Sequence, residues 1–242
     1  MSLTSEIKKK GEFYHLVLSH IDLDKAQTLI EDHQQKLNQI CFLAPEGTDF
    51  PLVGMAVIYA VREHLANQLS KGWWNETAAG LVTPYPNIEG PAKYVYMALA
   101  DKQARSPTKF YAKRSYFKYL VSDYGPSIED VSSILTGFSA ALPPTKLPFI
   151  PNPAWGGGAD ANLLMGHTLW DIRTTQSQTP LTIDNIVQQA GYVLINKGAY
   201  QIDSLAVFYS RQQCYFEYPL TRLLKPAALN QLQQSTRPTI NL

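Results

Sequence analysis

Four polar residues around position 165 are spaced so that they can act together: Asp160, Asn162, Asp171 and Arg173. They flank Gly166-His167, a pair suited to a two-residue hairpin turn between ADANLLM and TLWDIRT. Pairing outward from that turn sets Met165 opposite Thr168, Leu164 opposite Leu169 and Leu163 opposite Trp170. The same count sets Asn162 opposite Asp171, Ala161 opposite Ile172 and Asp160 opposite Arg173. Side chains alternate between faces along a strand, so the four polar groups are expected on one face, and Ala161, Leu163, Trp170 and Ile172 on the other. Such a patch suits a hard cation, because Mg²⁺ prefers oxygen ligands, keeps several waters and often takes only one or two protein carboxylates. A cationic side chain beside the metal can hold the attacking water and steady a phosphorane-like transition state. The same four residues also fit a plain Asp160–Arg173 ion pair across a solvated sheet face.

The following segment adds two candidates. Thr182 to Asn196 reads as a helix with Ile183, Ile186, Val187, Ala190, Val193 and Leu194 on its buried side and Gly198 beyond its end. Gln188 and Tyr192 lie four residues apart on one stripe, with Asp184 one turn earlier. An amide and a phenol at that spacing can orient a metal-bound water or a phosphate. They can equally form an ordinary polar helix face, with Tyr192 half-buried against a sheet.

The elements that must position these residues follow from periodicity. IDSLAVFYS and CYFEY read as two strands joined by RQQ, PLTRLL as one helical turn, and the polar end from about Gln231 as frayed. The downstream order is therefore strand, strand, helix, strand, strand, a layer of sheet with helices. Upstream, Ile21 to Cys41 has helical spacing with Asp22 or Asp24 as cap. A second helix begins near Pro51 and runs to about Leu69; it is apolar nearly all round before Arg62, as a centrally buried helix would be. Three more helices are expected near 92–104, 109–122 and 127–138, the last ending at Gly137. The Pro- and Gly-rich stretch ALPPTKLPFIPNPAWGGG reads as a joint between the helical half and the alternating half.

In combination, GADANL, LWDIRTT, QQAGY and IDSLAVFYSRQ resemble the PD-(D/E)XK nuclease superfamily, in particular its RecB-like branch, over about residues 155 to 224. That pattern has an acidic residue in one strand, D/E-x-K in the paired strand and Q-x-x-x-Y on the next helix. Asp171-Ile172-Arg173 takes the second place and Gln188 through Tyr192 the third. LVGMAVIYAVREHL is similar to the helix that precedes the catalytic sheet in this branch, and Glu63 on it is the nearest candidate for a third acid. The resemblance implies an α/β fold with a restriction-endonuclease-like core: a mixed central sheet flanked by helices, with a helical insertion. It also implies one domain over residues 1–242, with the helical elaboration at about 72–150. The activity implied is metal-dependent hydrolysis of phosphodiester bonds in DNA, with Mg²⁺ or Mn²⁺ as cofactor. Asp171, with Asp160 or Asn162, would hold the metal, Arg173 would stabilise the anionic transition state, and Gln188 and Tyr192 would position water or phosphate. Two positions depart from the pattern. Asn162 stands where the family acid usually precedes the apolar pair of its strand, and Arg173 replaces the lysine. Arginine keeps the charge but differs in shape and cannot release its proton. These departures imply an alternative, a degenerate nuclease-fold protein that binds nucleic acid or a protein partner without cleavage.

Between Asp101 and Asp123 there is no acid, and the basic residues Lys102, Arg105, Lys109, Lys113, Arg114 and Lys118 alternate with Phe110, Tyr111, Tyr116, Phe117 and Tyr119. Such a segment can follow a phosphate backbone while its aromatics stack on bases, or it can be a helix with an aromatic core face and a solvated lysine face. Over the whole chain charge is balanced: 21 basic against 20 acidic side chains in 242 residues leave +1, with a pI near 7.7, which excludes a global cationic field. Two cysteines far apart, Cys41 and Cys214, exclude a disulfide framework or zinc knuckle and favour a reducing compartment. The five histidines lack paired-ligand spacing, and GGGAD is followed by a strand pattern without lysine-serine, unlike a phosphate loop. Short, broken apolar runs predict no membrane span, and MSLTSEIKKKGEF lacks the apolar core of a secretory signal, so the cytoplasm is the expected compartment.

Overall fold

The computed structural model describes residues 7, 9–37, 42–69, 89–104, 123–155, 159–177, 180–196 and 198–235. Helices α1 (Glu12–His20) and α2 (Leu23–Lys36) come first. Of the two candidate caps of α2, Asp22 serves: its carboxylate accepts the Lys25 N–H at 3.3 Å. Helix α3 (Phe50–Leu69) places Pro51 in its first turn, where the missing N–H is harmless, and Asp49 accepts the Leu52 N–H at 3.1 Å. Residues such as Val53, Ala56, Val57 and Val61 along α3 are buried, as its all-round apolar run requires. Helices α4 (Gly90–Ala104), α5 (Gly125–Leu135) and α6 (Phe138–Ala141) follow among the described residues of this half. The expected 127–138 helix is thus two pieces: α5 stops at Leu135 and a new turn starts after Gly137. The expected 109–122 helix lies outside the described residues.

Five strands form a mixed sheet in the order β1-β4-β5-β6-β7, from β1 (Phe149–Pro151), β4 (Leu163–Met165), β5 (Thr168–Arg173), β6 (Ser204–Tyr209) and β7 (Cys214–Pro219). Among the described strands only β5 and β6 run parallel, and helix α7 (Ile183–Ile195) makes the crossover between them. A separate ribbon pairs β2 (Ala154–Trp155) with β3 (Ala159–Asp160). The proline-rich stretch is therefore more than a joint, because it contains β1 and β2. Its prolines are tolerated because β1 is an edge strand with one neighbour. A short 3₁₀ turn (Leu220–Arg222) and helix α8 (Pro226–Ser235) follow β7.

Helices flank both faces of this α/β sheet. In β6, Leu205, Val207 and Tyr209 face one core with residues of α1, α2, α7 and α8. Ala206 and Phe208 face the other, with residues of α3, α4, α5 and α6. A strand buried on both sides reads as a near-continuous apolar run, and IDSLAVFYS does. The two halves are tied by a fully buried bidentate ion pair. Arg211, in the β6–β7 turn, donates to both carboxylate oxygens of Asp130 on α5, one of them at 2.8 Å, and to the Phe42 carbonyl at 3.1 Å. Among the described residues, no helix is long and apolar enough to cross a membrane.

Candidate functional site

The hairpin forms at the expected turn. Gly166 has φ +60°, which a two-residue turn with glycine first requires, and Met165–Thr168, Leu164–Leu169 and Leu163–Trp170 pair in the expected register. Beyond Leu163 the expectation fails. The chain bends at Asn162, and β3 leaves the sheet with β2, so that Asp160 pairs with Ala154 instead of standing opposite Arg173. A side chain from 100 residues earlier meets the chain at this bend. Arg62 of α3, 6% exposed, donates to the Asn162 carbonyl at 2.7 Å and to Asn152 Oδ1 at 3.2 Å, and so occupies the point where the ribbon separates. Asn162 then bridges the gap with its amide: Oδ1 accepts the Ile172 N–H at 2.7 Å, in place of a backbone ladder bond. The face assignment also changes at one position, because Ala161 packs with Leu164 and Leu169 rather than with Leu163 and Ile172.

A cleft of roughly 340 Å³, part of it open to solvent, lies where β3 leaves β5. Asn162, Asp171, Gln188 and Tyr192 all line it, together with Ala161, Leu169, Trp170 and Gln189. Four of the six residues singled out at the motifs therefore meet at one place. Helix α7 brings Gln188 and Tyr192 because its start is well fixed: Thr182 and Asn185 form a reciprocal capping box. The Gln188 amide lies 3.5 Å from the Tyr192 hydroxyl. Asp160 belongs to β3, and its side chain lies outside what is described. Glu63 is paired with Lys93 of α4 at 2.6 Å. Lys109, Lys113, Arg114 and Lys118 lie outside the described residues.

Arg173 turns to Asp171, its neighbour two positions back on the same strand face. Its Nε and Nη2 both meet Asp171 Oδ2, at 2.7 and 2.6 Å, and Nη1 reaches the Pro180 carbonyl at 3.4 Å. Burial opposes the guanidinium charge, but the adjacent Asp171 carboxylate outweighs it, and the net effect is a pKa above the usual arginine value. Gln189 Nε2 donates to the same Asp171 oxygen at 3.0 Å, and the buried Tyr218 hydroxyl donates to Gln189 Oε1 at 2.8 Å. Burial first, and then the Asp171 charge, push the Tyr218 phenol up, so it stays a neutral donor. Beyond Arg173, Tyr209 contacts Nδ1 of the buried His33 at 2.9 Å.

Gln189, Tyr218 and Arg62 were not anticipated. A signal existed for two of them. Gln189 is a polar residue inside the apolar stripe of α7, and Arg62 ends the run of α3 that is apolar nearly all round. Buried polar groups in such places need partners.

These contacts bear on the divalent cation that the nuclease resemblance implies. Asp171 Oδ2 is taken by three donor hydrogens and Asn162 Oδ1 by the Ile172 N–H. Among the described residues no group of three or more His, Cys, Asp or Glu side chains is placed to hold a metal ion. Mg²⁺ can be held by one or two protein carboxylates, but the carboxylate described here is already neutralised by an arginine, which makes it a poor match. The described residues do not fit the metal. No protein-family model, curated protein or solved structure matches this chain.

Proposed function

We propose that this chain is a nuclease-like protein that binds nucleic acid without cutting it. LWDIRTT falls on β5, QQAGY on α7 and IDSLAVFYSRQ on β6, in the order the resemblance implies, which supports a restriction-endonuclease-like core, whereas Asp160 of the first piece stands on β3 outside that sheet. One observation carries the non-cleaving half of the reading: Arg173 and Gln189 close Asp171 Oδ2, while the amide oxygen of Asn162 is engaged by backbone. Hydrolysis by this class of chemistry needs a cation that activates water and shields the phosphate. A site whose positive charge is an immobile guanidinium supplies neither a metal-bound hydroxide nor a releasable proton. The binding half rests on the basic, aromatic-rich stretch from Lys102 to Lys118, whose composition suits a phosphate backbone with stacked bases.

A cutting enzyme is the second reading, favoured by the second carboxylate oxygen of Asp171, which has no hydrogen-bond partner among the described residues. The two are separated by incubating the chain with labelled single- and double-stranded DNA in Mg²⁺ or Mn²⁺, with anisotropy read for binding and gels for cleavage. Binding without cleavage is expected. The double change Asn162→Asp with Arg173→Lys is expected to raise metal-dependent cleavage above wild type, and adding Asp171→Ala to remove the gain. Wild-type cleavage that needs metal and is lost in Asp171→Ala overturns the non-cleaving reading.

A further inference from the structure

Two atoms in the cleft wall deepen the nucleic-acid reading, and the role assigned to them rests on that reading. Only oxygen can accept the Ile172 N–H, so the orientation of the Asn162 amide is set, and its Nδ2 is a donor without a partner among the described residues. Asp171 uses Oδ2 for Arg173 and Gln189, and its Oδ1 is an acceptor without a partner among the described residues. Both residues line the cleft, together with the apolar Ala161 and Leu169 and with Tyr192. They are held at adjacent points of β5, because the N–H that anchors Asn162 belongs to the residue after Asp171.

This donor–acceptor pair selects its ligand by chemistry. A phosphate brings only acceptor oxygens and negative charge to a wall that contains a carboxylate oxygen. A divalent cation finds a carboxylate whose charge Arg173 already offsets. A flat heterocycle with an N–H next to a ring nitrogen or carbonyl satisfies both atoms at once and lays its faces against the apolar wall. We infer that the cleft takes one unpaired nucleobase edge-on, its N–H donating to Asp171 Oδ1 and its neighbouring acceptor receiving Asn162 Nδ2. In a duplex that edge is already paired, so the site selects single-stranded or extruded bases. Asn162 is then the residue that determines specificity. An aspartate there keeps an oxygen for Ile172 but turns the outward donor into a second acceptor.

The test compares a short oligothymidylate with an abasic oligomer of the same length, by anisotropy in EDTA so that no cleavage interferes. Wild type is expected to bind the base-bearing strand about tenfold or more tightly, since each oligomer offers the same phosphates and only one offers an edge. Asn162→Asp is expected to lose that preference while keeping its affinity for the abasic strand and its melting temperature. Equal affinity of wild type for both oligomers overturns the inference and leaves the nucleic-acid reading standing. So does an unchanged preference in Asn162→Asp. Failure to bind either oligomer removes both. The wild-type comparison does not depend on how well the variant folds.

Discussion

Replacing Asp171 by Asn separates a closed ion pair from a carboxylate waiting for metal. In the closed arrangement Asp171 and Arg173 have side chains only 25% and 17% exposed, and the arginine makes two contacts to one oxygen at 2.6 and 2.7 Å. Removing one member of a fully buried pair costs about 3–5 kcal/mol, and an exposed pair is worth about 0–1 kcal/mol. With this partial exposure, Asp171→Asn is expected to cost about 2–3 kcal/mol, and Arg173→Gln a similar amount. Because each single change leaves the other charge unsatisfied, the double change is expected to cost less than the sum, with a coupling energy of about 2 kcal/mol. Urea unfolding of the four proteins, followed by circular dichroism with and without Mg²⁺, measures the cycle. If Asp171 were instead an open metal ligand, its neutralisation would change stability of the metal-free protein by no more than about 0.5 kcal/mol. It would also abolish any stabilisation by Mg²⁺. An unaffected Asp171→Asn protein, or a coupling near zero, refutes the closed pair.

Two further expectations concern the frame around the site. His33 is fully buried and stacked on Phe216 at 4.1 Å, with no partner for its Nε2 among the described residues; burial chiefly, helped by Lys36 and Arg173 against Asp32, lowers its pKa to about 4. The unfolded imidazole titrates near its ordinary 6.5, so this contribution is intact above that pH and is lost as pH falls from 6.5 to 4, a loss of about 3 kcal/mol. A His33→Gln protein is expected to lack that part of the stability–pH curve measured by urea titration, and an identical curve would contradict the assignment. Asp130→Ala is expected to cost about 3–5 kcal/mol in the same assay, because it strands the fully buried Arg211. Adding Arg211→Met is expected to recover part of the loss, and a double variant worse than the single would count against an unpaired-charge origin.

What was legible in the sequence is what local physics controls. Hydrophobic alternation and the Gly166-His167 turn determine the register of three pairs, since a one-residue slip would turn every side chain to the wrong face. Thr182 determines where α7 starts, and a spacing of four then brings Gln188 and Tyr192 to one stripe. The order strand, strand, helix, strand, strand was legible too, and the helix between the middle two strands gives the chain the length to run β6 parallel to β5. Tertiary structure decided the rest. Counting outward from the turn assumes that pairing continues, and nothing near Asn162 signals that it stops. At the bend Arg62 arrives from a helix 100 residues away and offers the Asn162 carbonyl a charged donor. Nor could spacing choose between Asp160 and Asp171 as the partner of Arg173. Once β3 has peeled away with β2, Asp171 on the same strand face is within reach, and a guanidinium in a partly buried site binds the carboxylate it can reach. Local periodicity sets which face a residue occupies, whereas the partner it finds there depends on chain segments brought together only by folding.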